Sequence, residues 1–489
     1  MGSKAKFATG YQSKNHGMRI VYLLLLSTLL ASYGKVFSRV IRNSDGLTPI
    51  LGWLVGMAFF VLAPLTVMTL NGGYVLPTIA EVGQSWGTID LTNATFLIPY
   101  LVVWTCLMLA CLVVRMFHPV GRRKTEAKHS LSCAKLERVI LPILGFTVVN
   151  WAVLIWLAGG VDEFLLTHWQ RRVDELVERY GDVYVLFDHL AMTNQILFVS
   201  AAALYTSIGL KNRNTKWGFT FLLILFFLLE MVLTGNRMYL AIYLLAFFTS
   251  CLVFERRKIL IAVLAVSPIL ALGFSAWAFV RGNLTGIPDS LTGYVDDDYS
   301  ERRITAVMDA FDGMGALLLL NVVHDFGERF DYLYGITYSR AATSLIPRKI
   351  YPNKPQNFTA MLAERYLPYV DTSVSATAIG EMYANFGVLT LALFPLLTWG
   401  ILVLSQWAVR KEAMHGLLPC ALFVLLVWGA RVTLEDNFVE FLLAMSLISI
   451  FRLEKGLWNP RVAELLPLAI SSNLARVPST TAKITLASP

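Results

Sequence analysis

Charged residues are scarce in this sequence, and cysteines at metal-site or redox spacing are missing from it. Only 15% of the 489 residues are charged, whereas a soluble domain usually carries about 25%. The five cysteines include no CxxC pair and no Cys/His metal spacing. No P-loop, dinucleotide-binding glycine motif or HExxH occurs. These absences argue against a disulfide scaffold, a zinc site and the nucleotide-binding or metalloprotease classes that those motifs mark.

Long hydrophobic runs dominate instead, because 56% of the residues are hydrophobic. A membrane-spanning helix needs about 20 apolar residues. The sequence therefore predicts an all-α polytopic membrane protein with about 11 (10–12) transmembrane helices. The predicted spans are residues 18–34, 49–70, 93–116, 138–159, 188–209, 217–234, 238–254, 259–280, 384–407, 416–432 and 437–452.

Cytoplasmic loops of membrane proteins carry an excess of lysine and arginine, which therefore predict which helix ends face the cytoplasm. In a membrane protein the net charge of +8 more often reflects such loops than binding to nucleic acid. Alternation of basic segments places residues 281–383 outside, and residues 71–92 contain no Lys or Arg. The N-terminal tail also falls outside by alternation although it contains three lysines, which leaves its orientation open. The basic segments span residues 122–135, 211–216, 256–258 and 410–411.

The segment 281–383 is too long to be a simple connector, since structureless loops beyond about 12–15 residues usually have a function. Apolar residues recur in it at helical spacing, including Ile304, Val307 and Phe311. We therefore expect a large, mostly helical extracytoplasmic loop. The predicted organisation is transmembrane helices one to eight over 1–280, the periplasmic loop over 281–383, helices nine to eleven over 384–452 and a cytoplasmic tail over 453–489.

Two candidate anion-binding segments lie on the predicted outer side. The first is the turn Leu233–Arg237, which would hold the Arg237 guanidinium at the outer interface; the alternative is an arginine that snorkels to lipid headgroups. The second is the proline-rich stretch Ile346–Pro355. Its prolines fix φ and would project Arg348 and Lys354 from a stiff frame, unless it is an ordinary solvated basic loop.

Three further residues are candidates for acid–base or supporting roles. Glu381 lies in the stretch leading into the predicted span 384–407, where it would act as a general base, pair with an arginine or serve the helix N-terminus. His324 lies in an apolar stretch, where a lone histidine is usually structural. Arg431, with Glu435 and Asp436 nearby, favours a local ion pair that closes a hairpin.

With these segments in hand, the chain resembles the Wzy-type oligosaccharide repeat-unit polymerases, which make O-antigen and exopolysaccharide. The stretch LTGNR resembles the TGSRG turn of that family, and IPRKIYPNKP resembles its IPR…WP.KP loop, with Tyr351 where Trp is frequent. The stretch GEMYANFG resembles its GE.Y.NFG stretch before a transmembrane helix. The resemblance covers roughly residues 230–390, and Asn236 and Met238 depart from it.

The resemblance implies a GT-C-like glycosyltransferase that polymerises oligosaccharides carried on undecaprenyl diphosphate at the periplasmic side of the bacterial inner membrane. It implies no metal or other cofactor, and it implies as partners membrane lipid, a Wzx-type flippase and a Wzz-type chain-length regulator. The alternatives are an O-antigen ligase and a flippase or other transporter. The roles expected are diphosphate binding by Arg237, Arg348, Lys354 and Arg431, catalysis by Glu381 and His324, and sugar stacking by Tyr334, Tyr351 and Tyr383.

Overall fold

A computed structural model describes most of the chain, and its described part is dominated by helices. In a bilayer the backbone must satisfy its own hydrogen bonds, so apolar runs of this length fold as helices. The described residues are 16–75, 88–118, 133–170, 182–213, 215–234, 237–261, 314–343, 346, 350–366, 374–412 and 416–431.

The first half of the chain forms nine helices and one small sheet among the described residues. Strands β1 (Gly73–Val75) and β2 (Thr88–Asp90) pair antiparallel, with Tyr74 opposite Ile89. The helices are α1 (His16–Asn43), α2 (Pro49–Met57), α3 (Ala63–Asn71), α4 (Leu97–Phe117), α5 (Cys133–Ala158), α6 (Val161–Gln170), α7 (Asp182–Asn212), α8 (Trp217–Thr234) and α9 (Met238–Val253).

A π-helical turn (Ala58–Leu62) joins α2 to α3. In the second half of the chain a 3₁₀ turn (Gly387–Leu389) lies between two further helices. The helices of that half are α10 (Met314–Asp325), α11 (Ile336–Thr343), α12 (Phe358–Tyr366), α13 (Thr377–Phe386), α14 (Thr390–Glu412) and α15 (Leu417–Arg431).

Six stretches of the described chain are long and apolar enough to cross a membrane. Side chains on their outer faces are apolar as well: Phe221, Leu222 and Leu229 of α8 are more than half exposed, which suits contact with lipid. The chain is an all-α polytopic membrane protein, as the sequence predicts. The six stretches are Gly17–Asn43, Pro49–Asn71, Leu97–Phe117, Leu136–Ala158, Trp217–Thr234 and Thr377–Val409.

The remaining predicted spans have different outcomes. The spans 238–254 and 416–432 correspond to the shorter apolar helices α9 and α15, and 188–209 lies within α7. The spans 259–280 and 437–452 and the tail 453–489 lie almost wholly or wholly outside the described residues. The total of about 11 helices therefore stays a prediction.

Helices α2 and α15 pack closely through two glycines that lie one turn apart on α2. A Cβ atom on Gly52 would fall 2.8 Å from Cα of Phe423, and one on Gly56 would fall 2.6 Å from Cβ of Ala430. Small residues at this spacing let membrane helices approach closely, so dispersion contacts can hold them together where lipid gives no hydrophobic driving force.

The described residues in and next to the predicted cytoplasmic segments lie at one end of the bundle, which we call the basic end. Arg39 of α1 donates Nη1 to the carbonyl of Arg115 (3.0 Å) at the end of α4. Lys216 pairs with Glu137 at 2.8 Å, which joins the starts of α5 and α8. Arg256, which follows α9, donates Nε to the carbonyl of Leu210 near the end of α7 (2.9 Å).

The opposite end, which we call the distal end, contains the start of α1. Arg19 donates Nη2 to the carbonyl of Leu70 (2.8 Å), and the Tyr22 hydroxyl donates to the carbonyl of Asn93 (3.1 Å). The helix therefore starts at the distal end, as the alternation of segments requires and despite the lysines that precede it.

Helix α10 packs inside the bundle, although its residues belong to the predicted outer loop 281–383. Its residues from Ala316 to Val323 are buried, and it packs against α4, α13 and the π-helical turn. At 12 residues it is too short to signal a membrane span. The loop residues 281–313, including the predicted helix around Ile304, lie outside the described residues.

Candidate site at the distal end

Arg237 occupies the N-cap position of α9 at the distal end. Within the described part of the chain its Nη1 atom is buried and has no hydrogen-bond partner. A buried guanidinium nitrogen without a partner is costly, so this atom is suited to a ligand oxygen. Helix α9 has 16 residues and is therefore about 24 Å long, short of the roughly 30 Å hydrocarbon thickness.

Arg431 lies close to the same place, at the last described residue of α15. The Tyr239 and Trp428 rings of α9 and α15 pack with centroids 5.2 Å apart. Because Arg237 precedes Tyr239 by two residues and Arg431 follows Trp428 by three, both arginines lie at the distal ends of neighbouring helices. Glu435 and Asp436, the predicted partners of Arg431, lie outside the described residues.

The segment that precedes α13 contacts the end of α15, which bears Arg431. The Ser375 hydroxyl donates to the carbonyl of Arg431 (2.8 Å). Thr377 follows with a φ of 64°, an unusual conformation for a β-branched residue, and its buried hydroxyl oxygen has no hydrogen-bond partner among the described residues. Strain and an unpaired polar atom at one residue often mark a ligand-binding segment.

Glu381 is completely buried (0% exposed) and belongs to a hydrogen-bonded network between α11 and α13. Its Oε1 accepts from the Thr337 hydroxyl (2.9 Å). Asn385 donates Nδ2 to the same hydroxyl oxygen (2.9 Å) and accepts from the amide of Gly335 (3.0 Å). This network ties the loop helix α11 to the bundle. Burial raises the pKa of the neighbouring Tyr338 hydroxyl, and the nearby Glu381 carboxylate raises it further.

His324 is the penultimate residue of α10 and forms a dyad with the last, Asp325. Its Nδ1 atom lies 2.9 Å from Oδ1 of Asp325, and the Tyr366 hydroxyl donates to Oδ2 of the same carboxylate (3.0 Å). The imidazole ring also packs on Phe96, with centroids 5.4 Å apart. Because 35% of the His324 side chain stays exposed, the dyad can present its second nitrogen to a substrate.

Next to the dyad, the Arg365 side chain contacts two aromatic rings. The Arg365 guanidinium lies 5.0 Å from the centroid of Phe326 and 4.9 Å from that of Phe330, both in cation–π contact. Burial lowers the pKa of Arg365, and burial together with Asp325 raises the pKa of the Tyr366 hydroxyl. The dyad therefore lies beside a cluster of buried and half-buried side chains.

The proline-rich segment is described in part. Lys354 donates Nζ to the carbonyl of Ile346 (3.3 Å), and Arg340 of α11 donates Nη1 to the carbonyl of Pro355 (3.0 Å). These bonds fold the segment against α11, which the Glu381 network holds in turn. Arg348 lies outside the described residues, so its place beside Arg237 stays a prediction.

The three candidate tyrosines differ in exposure. Tyr334 is 82% exposed and Tyr351 is exposed, so both can meet a sugar face. Tyr383 is buried and packs on Tyr332, with ring centroids 6.2 Å apart. The structure therefore favours a packing role for Tyr383.

Glu230 of α8 is a further candidate, which is not among the residues predicted from the sequence. It is 1% exposed, and neither carboxylate oxygen has a hydrogen-bond partner in the described part of the chain. The signal was present, because a single acidic residue interrupts the apolar run of α8 and ionisable residues within membrane helices are usually functional.

No group of three or more His, Cys, Asp or Glu side chains among the described residues could hold a metal ion. A metal-independent reaction stays a prediction.

Comparison with known proteins gives two relatives of the same name. The chain is 26% identical over 346 residues to the O-antigen polymerase of Salmonella typhimurium. The aligned region covers 68% of this chain and 74% of the relative. The O-antigen polymerase of Salmonella typhi matches with the same identity and coverage. The chain is related to the O-antigen polymerases.

This relationship confirms the family resemblance read from the three motifs. No family model matches the chain. No solved structure matches it either, so the GT-C-like fold stays a prediction. The relatives support polymerisation of polysaccharide repeat units at the level of the family.

Proposed function

We propose that this protein joins oligosaccharide repeat units carried on undecaprenyl diphosphate, at the periplasmic side of the bacterial inner membrane. The similarity to two O-antigen polymerases carries the proposal. The buried Nη1 of Arg237 at the distal end supports it, since this atom has no partner among the described residues and suits a diphosphate oxygen.

The proposed reaction transfers the growing glycan from its lipid diphosphate to a new lipid-linked unit. A hydroxyl oxygen of the acceptor sugar attacks the anomeric carbon of the donor, the bond from that carbon to the diphosphate oxygen breaks, and the hydroxyl proton passes to a base. Negative charge develops on the departing diphosphate. Arg237 and Arg431, with Arg348 and Lys354 from the proline-rich segment, would stabilise that charge.

His324 is the better candidate for the base, although the sequence favours Glu381. Asp325 holds Nδ1 of His324, which favours the tautomer whose Nε2 lone pair is available to a proton. Glu381 is completely buried and accepts from Thr337, so its geometry supports a positioning role. Tyr334 and Tyr351 are the candidates for stacking on sugar rings.

The rival functions are an O-antigen ligase and a transporter. A ligase would use the same arginines but transfer the glycan to a different acceptor. A transporter usually contains inverted repeats and broken helices at matching positions, and the sequence has no internal repeat of that kind. The proposed polymerase would work beside a Wzx-type flippase that supplies lipid-linked units and a Wzz-type regulator that sets chain length.

The test is reconstitution of the purified protein in liposomes that contain lipid-linked repeat units and no other glycan acceptor. The polymerase proposal predicts lipid-linked products with two, three and more repeat units on a gel. A ligase or a flippase would leave single units unchanged, and that result would refute the proposal.

A further inference from the structure

A groove between α1 and α4 at the basic end has no role in the proposed reaction. It encloses about 680 Å³. Four basic side chains line it: Lys35, Arg39 and Arg42 from α1 and Arg115 from α4. No acidic residue is among its lining residues.

The charges of this groove are not neutralised by carboxylates of the described residues. Arg39 donates hydrogen bonds to the carbonyls of Arg115 (3.0 Å) and His118 (3.4 Å). These bonds hold α1 to α4, but the carbonyls carry no negative charge that would neutralise the guanidinium. Arg42 donates Nε to the carbonyl of Ser38 in its own helix (3.3 Å). Lys35 makes no ion pair within the described chain. The groove is therefore a concentrated positive site.

The inner wall of the groove is apolar. Val36 of α1 and Met108, Cys111 and Leu112 of α4 line it. The α4 residues precede Arg115 by one to two helical turns, so the apolar wall extends from the cationic end of the groove toward the middle of the bundle. A free phosphate ion would contact the cations but would leave this wall uncovered.

We propose that this groove binds an anionic phospholipid from the leaflet at the basic end, with its phosphate among the four cations and an acyl chain along Met108 and Leu112. Basic pockets between membrane helices recognise anionic headgroups in this way. The lipid would bridge α1 to α4, adding to the Arg39 contacts.

Other basic residues at the same end provide the matched control. Arg257 and Lys258 are exposed, and neither lines the groove. Removing them takes away the same two charges as removing Lys35 and Arg42. If binding were only a general attraction of anionic lipid to the basic end, both double substitutions would weaken it equally. A specific lipid site in the groove would be weakened only by the substitutions at Lys35 and Arg42.

The experiment is native mass spectrometry of the purified full chain titrated with phosphatidylglycerol, and separately with phosphatidylcholine. We expect stoichiometric phosphatidylglycerol binding, weakened roughly tenfold by the double substitution K35Q/R42Q. The pair R257Q/K258Q should change the affinity less than twofold by the same reasoning. K35R/R42K keeps both charges and should retain binding, which shows that the groove tolerates substitution.

Two results would overturn the proposal. Equal weakening in K35Q/R42Q and R257Q/K258Q would mean unspecific attraction to the basic end. Displacement of the lipid by inorganic phosphate at equal concentration would mean an anion site with no selectivity for lipid.

Discussion

The two ends of the bundle differ in the burial of their charged side chains. At the basic end Lys35, Arg42 and Arg257 are exposed to solvent or headgroups. At the distal end Glu381 and Asp325 are buried in hydrogen-bond networks, and the buried Nη1 atom of Arg237 has no partner in the part of the chain that the structure describes. Exposed charges cost little and orient a membrane protein by their number. Buried charges are costly, so each distal charge needs a specific reason.

The largest expected effect comes from breaking the dyad at the distal end. His324→Ala should lower the polymerisation rate about 10²- to 10⁴-fold, because the acceptor hydroxyl loses its base. Asp325→Asn should also slow the reaction by removing the partner that orients the imidazole. The rate in proteoliposomes measures both, and a His324→Ala protein that polymerises at the normal rate would refute the assignment.

The next largest expected effect on the polymerisation rate comes from substituting an arginine at the distal end. Arg237→Ala should lower the rate roughly 10- to 100-fold, because a charge-assisted contact to diphosphate is lost. Arg237→Lys should recover part of the rate, since lysine keeps the charge but not the planar fork. The readout is the surface-glycan ladder of complemented cells at equal protein level.

Arg257→Ala, at the basic end, is the control for this comparison. It should leave the ladder unchanged because its side chain is exposed. Loss of long chains in both variants would mean that the distal end has no special role.

Helix packing provides a comparison that is independent of charge. Gly52→Ala should destabilise the protein by about 1–3 kcal/mol, because the new methyl group would overlap the backbone of Phe423. Gly400 of α14 has open space around it, so Gly400→Ala should be neutral or slightly stabilising. Thermal unfolding in detergent measures both, and equal midpoints would contradict the close packing of α2 on α15.

The smallest effect should come from Glu381→Gln. An amide oxygen can still accept from the Thr337 hydroxyl, so the rate should fall only a few-fold, about the loss from weakening one hydrogen bond. Glu381→Ala should lower protein stability and activity together, because it leaves that hydroxyl without its acceptor. A Glu381→Gln rate as low as that of His324→Ala would restore Glu381 as the base.

The sequence predicts the six long apolar helices of the described chain well, because apolar length is a local signal. It misses α10 because 12 residues fall below the length that marks a span. The partner of Asp325 could not be predicted, since Tyr366 is 41 residues away and meets it only through the fold. Arg237 is found from its position in a turn, whereas Glu230 is overlooked although its charge interrupts α8.

The central claim is that the distal end is the outer, catalytic end, and labelling of single cysteines tests it most directly. All five native cysteines are buried, so the exposed substitutions Glu328→Cys and Lys258→Cys can report the two ends separately. With a membrane-impermeant maleimide added to intact spheroplasts, the account predicts labelling of Glu328→Cys at once and of Lys258→Cys only after lysis. The reverse order would place the distal end in the cytoplasm and contradict the account.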